Sequence, residues 1–349
     1  AEGLRGDSRE SQVPAVLEML SIPYTGSKVM THAVSLDKVM TKRIWRDAGL
    51  PSAGWQEFLT PQDELDPQLK FPLFVKPARE GTGMGMDTHS IVNNFEELYA
   101  RVKWIIRTYQ QPALVEEYLP GREFTVAVLG RENARSNSRH PEWYEDNGFV
   151  RLPVEEVDSS ISATPGVYGN FAKTLNFGEK GIPSFLCPAP IPQELERELQ
   201  DLAIKAHKAI GALDVSRVDM RMDAQGNPRL IEINTLPGLT PDFSDICVIC
   251  RKLGYDNLNP IIWHKISNAV FEANTSSKFL GKPYEPNAIV KNDIEFILMQ
   301  RKPGGYRKPT IEQREESRIG KEDFDRWFHQ IWNSTGASTK QHPAPFPVE

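Results

Sequence analysis

At 349 residues, 39% hydrophobic and 25% charged, the chain is long enough to bury a substantial core and divides into two or three lobes of a globular protein. A net charge of −6 gives no broad surface for nucleic acid or an anionic membrane. No apolar run approaches the ~20 residues that cross a bilayer.

The opening, AEGLRGDSRESQ, has neither Met nor an apolar signal core and reads as a truncated or processed start. Val13, Leu17 and Leu20 then lead into Ile22-Pro23-Tyr24-Thr25-Gly26-Ser27, which fits a helix running into a turn. Residues 35–48 (SLDKVMTKRIWRDA) predict one helix, ended by Gly49 with Leu50-Pro51 beyond it. A short strand over 71–76 feeds a glycine-rich loop over 77–86. Residues 95–109 read as a helix and 113–119 as a strand, and the alternation over 122–129 gives a strand that opens a new lobe.

The polar stretch 130–148 is expected to be a mobile surface insertion. Residues 192–210 carry Leu195, Leu199, Leu202, Ala206 and Ile210 on one helical stripe, with Gly211 as the stop. Beyond about residue 277 the pattern breaks down, leaving a helix-like RWFHQIW segment (326–332) and a Pro-rich end; there is no internal repeat. Three cysteines are too few for a disulfide framework, which points to a reduced, cytoplasmic setting. Cys247 and Cys250 have the spacing of half a zinc site, but no second pair completes it; the i, i+3 spacing suits a buried helical face, whereas Cys187 stands alone.

The chemistry gathers on one hairpin. Residues 215–222 and 229–234 are β-compatible runs flanking Asp223-Ala224-Gln225-Gly226-Asn227-Pro228, a segment dense in turn formers. A hairpin symmetric about Gln225 and Gly226 puts Asp219 opposite Glu232 and Arg217 opposite Asn234. All four then share one face, and Val218, Met220, Ile231 and Ile233 share the other. Opposed carboxylates repel unless a cation lies between them. Asp, Glu and Asn offer only oxygen ligands, which suit a hard cation such as Mg²⁺, and Arg217 adds the fork geometry for phosphate. A solvated hairpin face closed by a salt bridge is the alternative; it explains the charge but not the convergence of an Asn and two acids beside Leu236-Pro237-Gly238.

Other groups suit a nucleotide less specifically. Gly81, Gly83 and Gly85 would let backbone N–H groups approach phosphate, or form only a flexible turn, and no Gly-Lys-Ser/Thr follows as in a P-loop. Lys76 at the strand end, Lys38 and Lys173 could each reach a phosphate or be solvated. The run from Glu116 to Glu123 is either an inter-lobe linker or a backbone edge for a purine, with Glu123 accepting from ribose hydroxyls.

In order and spacing, FVKPAREGTGMGM, LVEEYLPGREFTVAVLG and SRVDMRMDAQGNPRLIEINTLPGLT, with IPYTGS and SLDKVMTK upstream, resemble the ATP-grasp fold as found in D-alanine–D-alanine ligases. The resemblance covers roughly residues 1–270. It implies an α+β fold with a nucleotide bound between two α+β lobes and a remnant of an N-terminal α/β lobe. The lobes would be 1–34 (remainder of the N-terminal lobe), 35–121 (central lobe), 122–276 (C-terminal lobe with the Mg²⁺ site) and 277–349 (an extension of unknown role).

By the same resemblance, Lys38 and Lys76 contact ATP phosphates, Glu116, Tyr118 and Leu119 line the adenine pocket, Glu123 binds ribose, and Lys173 reaches the nucleotide. Asp219, Glu232 and Asn234 hold two Mg²⁺, with Mn²⁺ as a substitute. Arg217, the backbone at Gly238 and Thr82 form the reacting centre. The implied reaction phosphorylates a carboxylate with ATP, and an amine then displaces phosphate.

Departures concentrate at the substrate end. Thr82-Gly83 stand where D-alanine ligases usually carry two serines, and Thr174 follows Lys173 where a tyrosine is usual. Asp242, Phe243 and Ser244 fall where the family grips its second substrate, but an ungapped match puts Phe243 at the gripping serine and Ser244 one position late. The part of the N-terminal lobe that carries a glutamate for the first substrate's amine has no counterpart here.

The expected partners are a small-molecule carboxylate and an amine, with no nucleic acid and no membrane, and a homodimer is compatible. Two alternatives stay open: a true D-alanine–D-alanine ligase with variant pocket residues, and a nucleotide-binding pseudoenzyme whose tail or insertion recruits a partner.

Overall fold

The structure is a computed structural model that describes residues 5–81, 83–138, 141–158, 184–240 and 244–252, and beyond them the backbone of five short strands. Thr82, Lys173, Asp242 and Phe243 lie outside the described residues, as does most of the chain after 253. The chain forms two compact units, Ala1–Leu253 and Gly254–Glu349.

In the first unit, α1 (Gln12–Met19) and α2 (Val29–Leu36) precede α3 (Lys38–Asp47). The single helix expected over 35–48 is thus broken. Asp37 leaves the helical conformation (ψ 96°), and its carboxylate accepts a 3.0 Å hydrogen bond from the Met40 N–H, so α3 starts with its own N-cap.

Strands β1 (Trp55–Phe58), β2 (Leu73–Pro77) and β3 (Ile91–Val92) are followed by α4 (Phe95–Tyr109) and β4 (Ala113–Glu117). They form an antiparallel sheet in the order β1-β4-β2-β3. α4 begins at Asn94, whose side chain accepts from the Glu97 N–H, with Glu96 and Glu97 in its first turn, and ends at Gln110 in the left-handed conformation. Its stripe of Leu98, Val102 and Ile105 packs on Phe58, Leu73, Val75 and Val115.

The second sheet begins with β5 (Glu123–Gly130). The polar excursion that follows holds α5 (Ala134–Asn137) and returns through β6 (Phe149–Val150), which pairs back onto β5. Its neck is closed by Gly130 and Gly148, both at positive φ; a Cβ on Gly130 would collide with the Gly148 carbonyl oxygen and one on Gly148 with the Arg131 carbonyl oxygen. Next come β7 (Glu155–Asp158), β8 (Ser184–Leu186), α6 (Gln193–Ala209), β9 (Val215–Met222) and β10 (Pro228–Asn234), and then α7 (Asp245–Lys252). The sheet order is β10-β9-β5-β7-β8, with every pair antiparallel.

α6 buries Leu199, Leu202, Ala203 and Ala206, and they pack with Ile210 on Phe124, Val126, Val218, Met220, Leu230 and Ile233. Each fully buried large side chain contributes about 1.5–3 kcal/mol. Trp45 of α3 enters the same core and donates from Nε1 to the Ala206 carbonyl at 3.2 Å. Cys247 and Cys250 are both buried on α7, as the i, i+3 spacing predicts.

In the second unit, β11 (Asp256–Asn257) pairs with β14 (Gln300–Arg301), and β12 (Ile261–Ile266) lies between β13 (Ile294–Ile297) and β15 (Ile331–Thr335). Ile331 and Trp332, expected at the end of a helix-like segment, instead start β15; the run Ile-Trp-Asn-Ser-Thr is rich in β-branched and aromatic residues.

Candidate active site

The hairpin of β9 and β10 pairs Glu232 with Asp219 and Asn234 with Arg217, as the sequence predicts, but by a different route. Next to the turn the strands pair one residue out of that register: Pro228 faces Met222 and Leu230 faces Met220. The register then shifts between Leu230 and Glu232, and Ile231 is the extra residue of a β-bulge. This corrects the expected core face. Leu230, fully buried, takes the place assigned to Ile231, which is half-buried and lines the site beside Glu232.

Across the sheet, Glu232, Asp219, Thr125 and Glu155 align on four successive strands. Thr125 donates to Asp219 Oδ1 at 2.9 Å. Arg217 grips the same carboxylate with Nε (3.1 Å) and Nη2 (2.8 Å), and its Nη1 reaches Asp245 at 2.7 Å. Burial opposes the guanidinium charge, but Asp219 and Asp245 outweigh it and raise the Arg217 pKa. Glu155 is pushed up to about 8, first by burial and then by the negative charge of Asp245. The Asn234 side-chain oxygen accepts from the Leu236 N–H at 3.1 Å.

Facing this sheet, Lys76 donates to one oxygen of Glu116 at 2.7 Å, and Lys42 contacts the other at 2.5 Å. All three side chains are buried. Burial alone would neutralise the carboxyl, but the two lysines hold its pKa below the usual glutamate range. Burial likewise opposes the charge on Lys76, yet Glu116 and Glu232 raise its pKa, whereas burial dominates at Lys42 and lowers it. Lys38 donates to the Glu80 carbonyl, and its ammonium lies 3.5 Å from Glu232.

A cavity of about 90 Å³ lies between the two sheets. Lys76, Glu116, Tyr118 and Leu119 line it from the first, and Glu123, Arg217, Asp219 and Glu232 from the second. The Arg221 guanidinium stacks over the Tyr118 ring at 5.4 Å and lies 3.6 Å from Glu123. In the glycine loop, Gly85 has φ +73°, and a Cβ there would sit 2.6 Å from the Pro77 ring, so the loop folds tightly back on the end of β2. A wider groove of about 890 Å³, bounded by Leu50, Arg197 and Arg229, holds none of the predicted site residues.

Ser244 accepts from the Thr240 N–H at 3.0 Å, and its hydroxyl is what a Cβ on the exposed Gly238 would meet. Sequence reasoning missed Lys42, Thr125, Glu155 and Asp245. Lys42 carried a usable signal, being one helical turn after Lys38, and Thr125 shares the alternating face of β5 with Glu123. Nothing in the spacing marks Asp245, which reaches Arg217 from a different element.

The donor set fits a hard cation in kind, being all oxygen, but both Asp219 oxygens are already taken by Arg217 and Thr125. Among the described residues, no three His, Cys, Asp or Glu side chains are grouped to hold a metal, so any such site draws on Asn234 or on a ligand. No helix among the described residues is long and apolar enough to cross a membrane.

Two antiparallel sheets, each backed by helices and facing a shared cleft, define an ATP-grasp fold. Solved structures agree: a D-alanine–D-alanine ligase from Bacillus anthracis complexed with ATP aligns with a TM-score of 0.51 at 24% identity, over 70% of this chain and 69% of that one. The family model described as D-ala D-ala ligase C-terminus matches residues 44–262, and the chain belongs to that family.

An uncharacterized protein of Sinorhizobium fredii, y4sG, is 35% identical over 240 residues, or 69% of this chain and 65% of that protein. The D-alanine–D-alanine ligase of Alcanivorax borkumensis is 35% identical over 244 residues, or 70% and 68%. The chain therefore spans about two thirds of the length of the curated relatives it matches.

Proposed function

We propose that the protein is an ATP-dependent carboxylate–amine ligase that joins an amino acid or another small carboxylate to an amine. The observation that carries this reading is the meeting of Lys76 and Glu116 from one sheet with Arg217, Asp219 and Glu232 from the other across one cavity. In the reaction, a carboxylate oxygen attacks the terminal phosphorus of ATP and ADP leaves. The amine nitrogen then attacks the acyl carbon, phosphate leaves, and the amine gives up a proton.

Lys76 and Lys38 bind the phosphates, while Glu116, Tyr118 and Leu119 receive the base and Glu123 the ribose; Lys173 joins them from outside the described residues. Asp219, Glu232 and Asn234 would hold Mg²⁺, which supplies neutralisation of phosphoryl charge when bound. Arg217, already charged and half-buried, stabilises the negative charge that develops on the oxygen of the reacting acyl group, together with the Gly238 backbone and Thr82. Asp242, Phe243 and Ser244 meet the second substrate. Within the first compact unit, the lobe 35–121 and the lobe that begins at 122 are the two jaws.

The test is ADP release with Mg²⁺, ATP and a panel of amino acids that includes D-alanine, with products identified by mass spectrometry. Turnover with one carboxylate–amine pair supports the reading. Nucleotide binding without turnover on any pair favours a scaffold.

A further inference from the structure

β10 is the edge strand of its sheet, so at Leu230 the backbone N–H and C=O point away from β9 and need outside partners. The N–H donates to the Pro51 carbonyl at 2.9 Å, within a parallel bridge between Ser52 and Leu230. The C=O accepts from Lys42 Nζ at 3.4 Å, and that same ammonium is 2.5 Å from Glu116 on the other sheet. Lys42 has no solvent exposure, so water cannot replace either partner. Immediately after Leu230 comes the bulge that turns Glu232 onto the polar face opposite Asp219.

We propose that Lys42 is a positioning residue that braces the Leu230 carbonyl against Glu116, holding the bulge and so tying the base end of the cleft to the placement of Glu232. The inference rests on the proposed function for its catalytic consequence, but its structural half stands apart. A regular strand would put Ile231 opposite Asp219 and turn Glu232 toward the core. Lys42 therefore acts on the acidic pair without touching it.

The test compares Lys42→Met and Lys42→Arg with the parent protein by hydrogen–deuterium exchange of backbone amides and by Mg²⁺ titration of ADP release at saturating ATP. Lys42→Met should speed exchange at residues 231–234 about tenfold while β5 and β9 stay unchanged. It should also raise the Mg²⁺ concentration for half-maximal turnover about tenfold, with the KM for ATP moving less than threefold. Lys42→Arg should restore most of both effects.

Unchanged exchange in β10, or an equal rise throughout both sheets, overturns the proposal. So does a defect confined to the KM for ATP. If Lys42→Met does not fold, Lys42→Gln, which keeps N–H donors but drops the charge, is judged by the same criteria. Because exchange is read on ligand-free protein, absence of turnover in the parent would sink the ligase reading while leaving the brace to be decided by β10.

Discussion

Glu232 faces Asp219 across the hairpin with Ile231 looped out of the β10 register between Leu230 and Glu232. Glu232 contributes nothing to the core and is partly exposed, with Lys38 3.5 Å away. Glu232→Ala is therefore expected to cut ADP release on the order of 100-fold or more while the melting temperature stays within a few degrees. Near-normal turnover in that variant would remove Glu232 from the proposed Mg²⁺ ligands.

The bulge also predicts which of two adjacent apolar residues carries stability. Leu230 is fully buried, so Leu230→Ala should cost about 2–5 kcal/mol in urea unfolding. Ile231 is half-buried at the cleft, and Ile231→Ala should cost clearly less. A regular strand in the expected register would reverse this order, so the pair of midpoints decides between the two registers.

Thr125 lies between Asp219 and Glu155 in the row across the sheet and donates to Asp219 at 2.9 Å. Thr125→Val keeps the shape and removes that donor. Loss of a charge-assisted bond costs about 1.5–3 kcal/mol. Turnover should fall with an altered Mg²⁺ dependence, measured by the same ADP assay; an unchanged Mg²⁺ profile would show that Asp219 does not need this bond.

His207 provides a pH test. It is fully buried against Phe149, its Nδ1 lies 2.7 Å from Ser216 Oγ, and burial lowers its pKa to about 4. A base whose pKa is depressed by folding takes up its proton more readily in the unfolded chain. Its contribution is thus present above the unfolded value of about 6.5 and is lost as pH falls toward 4. Stability should decline by up to about 1.4 kcal/mol per pH unit in that window from this group. His207→Gln should flatten that part of the profile in denaturant titrations between pH 7 and pH 4; an identical slope would contradict the buried neutral imidazole.

Much of the site could be read from local patterns. Alternation on β9 and β10 placed the four polar residues on one side, and the stripe of α6 named the residues that back them. The bulge could not be read in this way, because its supports, Pro51 and Lys42, are distant in sequence and act through backbone groups. The break before α3 was hidden for a related reason: Asp37 reads equally well as a helical residue or as a cap until its partner Met40 is placed. Asp245 was missed because an ion pair between a strand and a helix 28 residues on leaves no period in the sequence.

The glycine neck at Gly130 and Gly148 has a practical consequence for engineering. Backbone contact across the neck, where the Arg131 N–H donates to the Gly148 carbonyl at 3.2 Å and the Glu145 N–H to the Phe149 carbonyl at 2.9 Å, fixes where β5 ends and β6 begins. The two glycines thus form a stem with no room for a side chain at either end. A reporter or affinity tag spliced near Arg135 should leave the cleft as it is, whereas an alanine at either end of the stem would pull β5 out of line, and Thr125 and Glu123 with it.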